Sequence, residues 1–356
     1  MSRLTKLRTK MNELGVDAVL VLNELNQHYL AEFAFTDGFL LVAKDKAYLV
    51  TDFRYYEMAL KDANPEFEVI IPESRKEFLE KTISDYSIRS VGFEGNSVSY
   101  ETYKHYCESY PQISFVNIGD AIELLRQIKT PDEIEKMQRA QDITDAAFNH
   151  VLGILTPNMT ELDVAVELEY AMRKGGANAF AFETIAVSGD ASALPHGTPR
   201  NVKLRKGFLT MDFGAKFDGY CSDMTRTVVI GKADKEIKKL YNTVLLAQTE
   251  SIAYLCAGAD CGEADKVARD IIDAVPEYNG AFGHSLGHSV GLFIHESPRV
   301  SKASFGRLLR AGEIVTVEPG IYLFGKYGCR IEDMVAIEES GVYNFTHSTK
   351  ELIEIL

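Results

Sequence analysis

No apolar run in this sequence reaches the length of a membrane span, about 18 to 20 residues. The N-terminal stretch MSRLTKLRTKMNELG reads as a charged amphipathic helix without an apolar signal core, so no secretion signal is expected. There are 5 cysteines, an odd number, and no C-x-x-C pair. That argues against a disulfide framework and for reduced thiols in a cytoplasmic protein. A basic surplus is also missing, because the formal net charge is −14. Nucleic acid and anionic membranes are therefore not expected as partners. Low-complexity segments and short-period repeats are absent too. What is present is a chain of 356 residues, 46% apolar and 25% charged. This is the composition of an ordinary globular protein of about two domains.

Local signals predict an α/β first domain over residues 1–125. A helix over 3–14 should end near Gly15, with VDAVLVL following as a buried strand. DGFLLVAKDKAYLVTD reads as two strands joined at Lys44-Asp45-Lys46. A helix over 54–61, the EVIIP strand, a helix over 76–84 and the VGFEG strand continue the alternation. After a joint near residue 125, Thr130-Pro131-Asp132-Glu133 supplies an N-cap, a proline at the first helical position and a capping glutamate. The helix it starts should run to about Leu155. A second should begin after Thr160 and stop at Gly175-Gly176, and two more should span 234–256 and 262–274. Strand-like stretches lie between and after these helices. The second domain, residues 126–356, thus reads as α+β, with helices against a strongly curved antiparallel sheet.

Those strand-like stretches hold the chemistry. Asp212 and Asp223 flank Asp218-Gly219, a strong two-residue turn signal. A hairpin closed there sets Asp212 opposite Thr225 and turns Asp223 to the same face. Aspartate is disfavoured inside strands. Two on one face repel unless a cation lies between them, although ordinary exposed strand acids remain the plainer reading. Glu318 and Glu332 sit in the apolar runs IVTVEPGIYLF and CRIEDMVAI, with Gly325 and Gly328 between them to allow a second hairpin. A glutamate in such a run is costly unless paired. Arg330 could pair with one of the two, which would explain it without a metal. His284, His288 and His295 lie in AFGHSLGHSVGLFIHESPR, where Gly283, Gly287 and Gly291 argue against a zinc-binding helix. The glutamate of H-E-x-x-H is absent as well. An extended segment whose backbone approaches a ligand closely fits better. His196 lies in a Pro/Gly loop, and His28, His105, His150 and His347 carry no motif. Four carboxylates and an imidazole form a ligand set suited to hard divalent cations such as Mn²⁺. Two such ions would balance the charge and could share and activate one water.

The set Asp212, Asp223, His288, Glu318 and Glu332, in this order and in these contexts, resembles the pita-bread metallopeptidases, and more narrowly their proline-specific branch of Xaa-Pro dipeptidases (prolidases) and Xaa-Pro aminopeptidases. TDFRYYEMA at 51–59 and IKTPDEIEKMQRA at 128–140 resemble the branch's N-terminal domain and domain joint. The resemblance implies that Asp212 chelates one metal, that Asp223 and Glu332 bridge both, and that His288 and Glu318 hold the second. The metals would be Mn²⁺, with Co²⁺ or Zn²⁺ as alternatives. It implies that His196, His284 and His295 surround the substrate, that Glu318 passes a proton to the leaving proline nitrogen, and that Arg330 orients the bridging glutamate. Arg299, in HESPRV, matches an arginine that grips a substrate's terminal carboxylate. The implied substrate is a proline-containing di- or oligopeptide, and the implied assembly a homodimer. The loop YLAEFAFTDG departs from the branch by lacking a glycine and serine often found there. Within the resemblance, dipeptidase is the expected activity and aminopeptidase action on longer peptides the alternative. Methionine aminopeptidase fits less well, given the large N-terminal domain. Creatinase-like proteins and the non-catalytic peptide-binding modules of this fold should lack these ligands.

Overall fold

The computed structural model describes residues 1–356, which divide into two compact units, Met1–Arg126 and Gln127–Leu356. The first unit is built on a mixed sheet of β1 (Ala18–Val21), β2 (Phe39–Ala43), β3 (Ala47–Val50), β4 (Glu68–Ile70), β5 (Ser90–Phe93) and β6 (Ser114–Asn117). Their order is β4-β3-β2-β1-β5-β6. Its central strands are buried along their whole length, as their Val, Leu and Ala content dictates. Helix Arg3–Leu14 starts where Ser2 accepts from the Thr5 amide and stops at Gly15, whose φ of 67° only glycine adopts without cost. No helix of the structure is long and apolar enough to cross a membrane. No disulfide joins any of the cysteines.

The second unit opens with helix Pro131–Ile154, which carries the capping box read from the sequence. Thr130 N donates to Glu133 Oε2 at 2.7 Å, and Glu133 N to Thr130 Oγ1 at 3.4 Å. Two long ribbons then build the functional half. The first runs through β7 (Ala179–Phe180), β8 (Ile185–Ser188), β9 (Gly207–Phe213), β10 (Ala215–Phe217), β11 (Tyr220–Cys221) and β12 (Met224–Ile230). The Asp218-Gly219 turn closes it, with φ of 48° and 84° at the two residues. Both are left-handed, as a two-residue hairpin of the primed kind needs. Phe217 pairs with Tyr220, and the same register continues to Asp212 opposite Thr225. Between these paired stretches the ribbon passes from one sheet to another at Gly214. A Cβ there would lie 2.0 Å from the Ser222 carbonyl oxygen, so no larger residue fits.

The second ribbon comprises β13 (Gly287–Ser289), β14 (Glu296–Val300), β15 (Ile314–Val317), β16 (Gly320–Leu323), β17 (Tyr327–Arg330), β18 (Asp333–Glu338) and β19 (Gly341–Asn344), and β20 (Glu354–Ile355) closes the chain alongside β12. Val317 pairs with Asp333 and Gly320 with Arg330, one unbroken register across another change of sheet. Residues of β9 and β12 alternate between two cores. Leu209, Met211 and Val228 join the core of helices Pro131–Ile154 and Glu161–Lys174. Phe208 and Val229 join that of Lys235–Tyr254 and Cys261–Asp273. Burial on both faces explains why nearly every residue of these strands is apolar or hydrogen-bonded.

Candidate metal centre

Each acidic candidate stands where a ribbon leaves one sheet for the next. Asp212 precedes the Gly214 crossing, and Asp223 lies across from it, just before β12. Glu318 follows β15, Glu332 precedes β18, and the register carried on from Val317 and Asp333 sets the two glutamates opposite each other. The ribbons are stitched together beside them. Glu332 N donates to the Thr225 carbonyl at 3.1 Å. The Arg226 guanidinium, 1% exposed, donates to the carbonyls of Thr225 and Glu332 and pairs with Asp333 Oδ1 at 2.8 Å. Its remaining donors reach the Ser348 and Thr349 carbonyls, so the buried charge is fully bonded.

The histidine-bearing segment is extended, as its glycines predict. A Cβ on Gly287 would meet the Thr316 carbonyl oxygen at 1.9 Å. Helix Cys261–Asp273 fixes the segment: Asp265 accepts from the Leu286 amide, while Arg269 donates to the carbonyls of Phe282 and His284. His288 Nδ1 bonds the Ser289 carbonyl at 3.2 Å, which leaves Nε2 aimed at Glu318 Oε1 (3.4 Å) and Asp223 Oδ2 (3.6 Å). Ligand atoms of Asp223, His288 and Glu332 lie within 4.8 Å of one another.

Electrostatics of this cluster call for a counter-charge. Burial raises the Asp223, Glu318 and Glu332 carboxyl groups, Glu318 to about 8, and neighbouring carboxylates push the same way. Burial holds His288 down at about 3, a neutral imidazole ready to donate its lone pair. One buried cation lines the cavity among these carboxylates, Arg330, and it takes neither glutamate directly. Its Nη2 pairs with Asp212 Oδ2 at 2.5 Å, while Nε reaches Thr225 Oγ1 at 3.0 Å. That hydroxyl in turn donates to Glu332 Oε2 at 2.7 Å. The pairing of Arg330 with a glutamate considered from the sequence is thus corrected: its carboxylate partner is Asp212, and it reaches Glu332 through Thr225. Asp212 Oδ1 is buried with no hydrogen-bond partner. An orphan carboxylate oxygen, three further acids raised by burial and by one another, and a neutral imidazole fit divalent cations.

All the residues singled out in the sequence line one cavity of about 340 Å³: Asp212, Asp223, His288, Glu318 and Glu332 with His196, His284, His295, Arg299 and Arg330. His284 is held between the Ser285 carbonyl and the Tyr322 hydroxyl, each at 2.9 Å, and Arg330 Nη1 donates to that hydroxyl at 2.7 Å. Burial lowers His284 to about 4. The His295 ring stacks edge-on against His288 at 4.5 Å. Arg299 stands opposite His288 in the β13–β14 pairing. Sequence reasoning missed Thr225, Arg226, Tyr322 and Asp333. It also missed Phe182, Glu183, Ile185, Pro195, Ser285 and Ile294 of the lining. Threonines two residues from Asp212, Asp223 and Glu318 (Thr210, Thr225 and Thr316) were the one available signal.

The model of metallopeptidase family M24 matches residues 135–339, and that of the creatinase/prolidase N-terminal domain matches residues 3–128. The chain belongs to metallopeptidase family M24. This M24 chain is 40% identical to a solved Xaa-Pro dipeptidase from Bacillus anthracis, with a TM-score of 0.94 over 99% of both chains. It is 35% identical to a solved X-Pro aminopeptidase from Thermotoga maritima, with a TM-score of 0.91 over 100% of both. A Pyrococcus furiosus relative named Xaa-Pro dipeptidase is 36% identical, covering 99% of each chain. The M24 chain therefore has the two-domain pita-bread fold and is a hydrolase of a family that uses divalent metal ions.

Proposed function

We propose that this M24 protein is an Xaa-Pro dipeptidase, cutting the bond before proline in dipeptides with the help of two divalent ions, Mn²⁺ first, Co²⁺ or Zn²⁺ as alternatives. Asp212 would hold one ion, Asp223 and Glu332 would be shared, and His288 with Glu318 would hold the other. When bound, the ions would supply an acidified water and a polarised scissile carbonyl. The residues of the chain do the rest. Thr225 and Arg330 hold the Glu332 and Asp212 carboxylates in fixed orientations. Glu318, oriented by Thr316 Oγ1 at 3.1 Å, carries the proton to the leaving proline nitrogen. His295 and His196, both exposed in the cavity, bind the peptide and its developing oxyanion. Both nitrogens of His284 are already engaged, so it reaches substrate only by exchanging the Tyr322 hydrogen bond.

The substrate class suits such a site. A bond before proline has a tertiary nitrogen with no N–H to offer a general protease. The observation that carries the choice of dipeptidase is Arg299. It lines the cavity across from His288, and its side chain makes no hydrogen bond or ion pair with the protein. In a dipeptide the terminal carboxylate sits on the proline itself, within reach of such a cation, and two parallel hydrogen bonds could grip it. The aminopeptidase reading is kept because of the Thermotoga maritima structure. The test compares Leu-Pro, Leu-Pro-Gly and Met-Ala as substrates, on wild type and Arg299→Ala. Leu-Pro should be preferred, and Arg299→Ala should lower its kcat/KM about 10- to 150-fold while changing Leu-Pro-Gly little. Preference for the tripeptide by the wild type would favour the aminopeptidase, and equal losses would make Arg299 structural. A cytoplasmic homodimer completes the proposal, and light scattering on the purified protein tests the assembly.

A further inference from the structure

Two charged side chains of the cavity have no partner in the protein, and they are of opposite sign. The charged lining residues are Asp212, Asp223, Glu318 and Glu332, their companion Arg330, and then Arg299 and Glu183. Neither Arg299 nor Glu183 makes an ion pair or side-chain hydrogen bond. Glu183 reaches the cavity through a fault in the sheet. Phe180 pairs with Ala215, and Ala181 N donates to the Gly214 carbonyl at 2.9 Å. Ile185, however, pairs with Asp212. One strand thus advances from 181 to 185 while its neighbour advances only from 214 to 212, and the surplus residues bulge out between them. A bulge of this sort re-aims side chains, here next to the carboxylate cluster. Phe182 and Glu183 both line the cavity as a result. Gly214 faces them, and the Phe182 ring packs 3.1 Å from where a Cβ on that glycine would be.

We propose that Glu183 binds the α-ammonium of the substrate, so that Glu183 and Arg299 receive the two charged ends of a zwitterionic dipeptide. The inference rests on the Xaa-Pro reading above and adds a specificity-determining residue to it. Phe182, beside Glu183, then stands near the side chain of the residue before proline. The ammonium is common to dipeptides and longer peptides, so Glu183 serves recognition of a free N-terminus while Arg299 sets length.

The test uses the metal-loaded enzyme with Leu-Pro and with 4-methylpentanoyl-proline, which is Leu-Pro with its ammonium replaced by hydrogen. Glu183→Gln should raise KM for Leu-Pro about 5- to 20-fold, between the effects of exposed and shielded ion pairs, with kcat within about twofold. The inhibition constant of 4-methylpentanoyl-proline should be the same in wild type and variant. Raising the salt concentration should raise KM for Leu-Pro more in the wild type than in the variant, where the Arg299 pair alone remains to be screened. Equal shifts for both compounds, or an unchanged KM for Leu-Pro, would overturn the role of Glu183. If the wild type prefers Leu-Pro-Gly, the dipeptidase reading fails and the Glu183 effect is read on that peptide instead. Absence of any Xaa-Pro hydrolysis by the wild type would end the parent reading and this one with it.

Discussion

Thr225→Val removes one hydroxyl and leaves the shape of the site unchanged. That hydroxyl is fully buried, donates to Glu332 and accepts from Arg330. Its loss leaves a carboxylate oxygen and a guanidinium N–H short of a bond. Hydrogen bonds to charged groups are worth about 1.5 kcal/mol or more each. The added methyl group returns about 0.8 kcal/mol. The metal-free variant should therefore be less stable by about 2 kcal/mol, a fall in Tm of about 4–8 °C for a domain of this size. With Glu332 no longer held, divalent metal affinity should fall about 10- to 100-fold. Calorimetric titration with Mn²⁺ reads the affinity, and thermal melts of metal-free protein read the stability. Thr227→Val is the control. Its hydroxyl donates to the Arg330 carbonyl at 2.8 Å and touches no carboxylate, so it should cost stability but leave metal affinity within about twofold. Wild-type affinity in Thr225→Val, or an equal loss in Thr227→Val, would refute the reasoning.

Asp223→Asn should keep the fold, because the amide is isosteric, but lower metal affinity and reduce turnover by several orders of magnitude. Asp218→Asn, which loses only an exposed ion pair to Lys136 at 2.8 Å, should be nearly silent, and an active Asp223→Asn would contradict the shared-ligand role. The metal-free protein should lose stability as pH rises from 7 to 8. Glu318 is raised in the folded state from 4.5 to about 8, so the stability it contributes is present below 4.5 and is lost as pH climbs through 8. Asp223 and Glu332 act in the same direction, whereas the lowered histidines stop contributing a slope above their ordinary value of 6.5. The slope from Glu318 alone is about 1 kcal/mol per pH unit. Calorimetry with saturating Mn²⁺ should show the slope abolished, and a metal-free Tm that rises across this interval would contradict the account.

Much of this was legible in the sequence because short-range rules act there without competition. Gly15 ends the first helix, Thr130 and Glu133 close a capping box, and the Asp218-Gly219 turn fixes the register that sets Asp212 opposite Thr225. Once a tight turn closes a hairpin, every pair along it follows, even through a change of sheet. Partner choice for long side chains was less legible. Arg330 is two residues from Glu332, but alternation along the ribbon and the Gly214 crossing bring it to Asp212 instead. Nothing in MTRTVVI marks Arg226, because its partner Asp333 lies on the other ribbon. Glu183 gave no signal, since the bulge that turns it inward arises from two pairings of one strand with different offsets. Helix Tyr100–Ser109 and β6 went unassigned, although Ser99 caps that helix from the Thr102 amide. The apolar positions of the helix are tyrosines and a cysteine rather than aliphatic residues, and no residue of the helix is fully buried.

The most direct measurement is a metal count taken alongside turnover. The protein is stripped with chelator and titrated with Mn²⁺, while bound metal and Leu-Pro hydrolysis are followed in the same samples. The clustered carboxylates of Asp212, Asp223, Glu318 and Glu332, with Arg330 the one arginine bonded among them, predict no hydrolysis without metal and full hydrolysis as a second ion binds. Full turnover by the metal-free protein would contradict the account. Activity that saturates at one ion per chain would contradict the shared roles of Asp223 and Glu332.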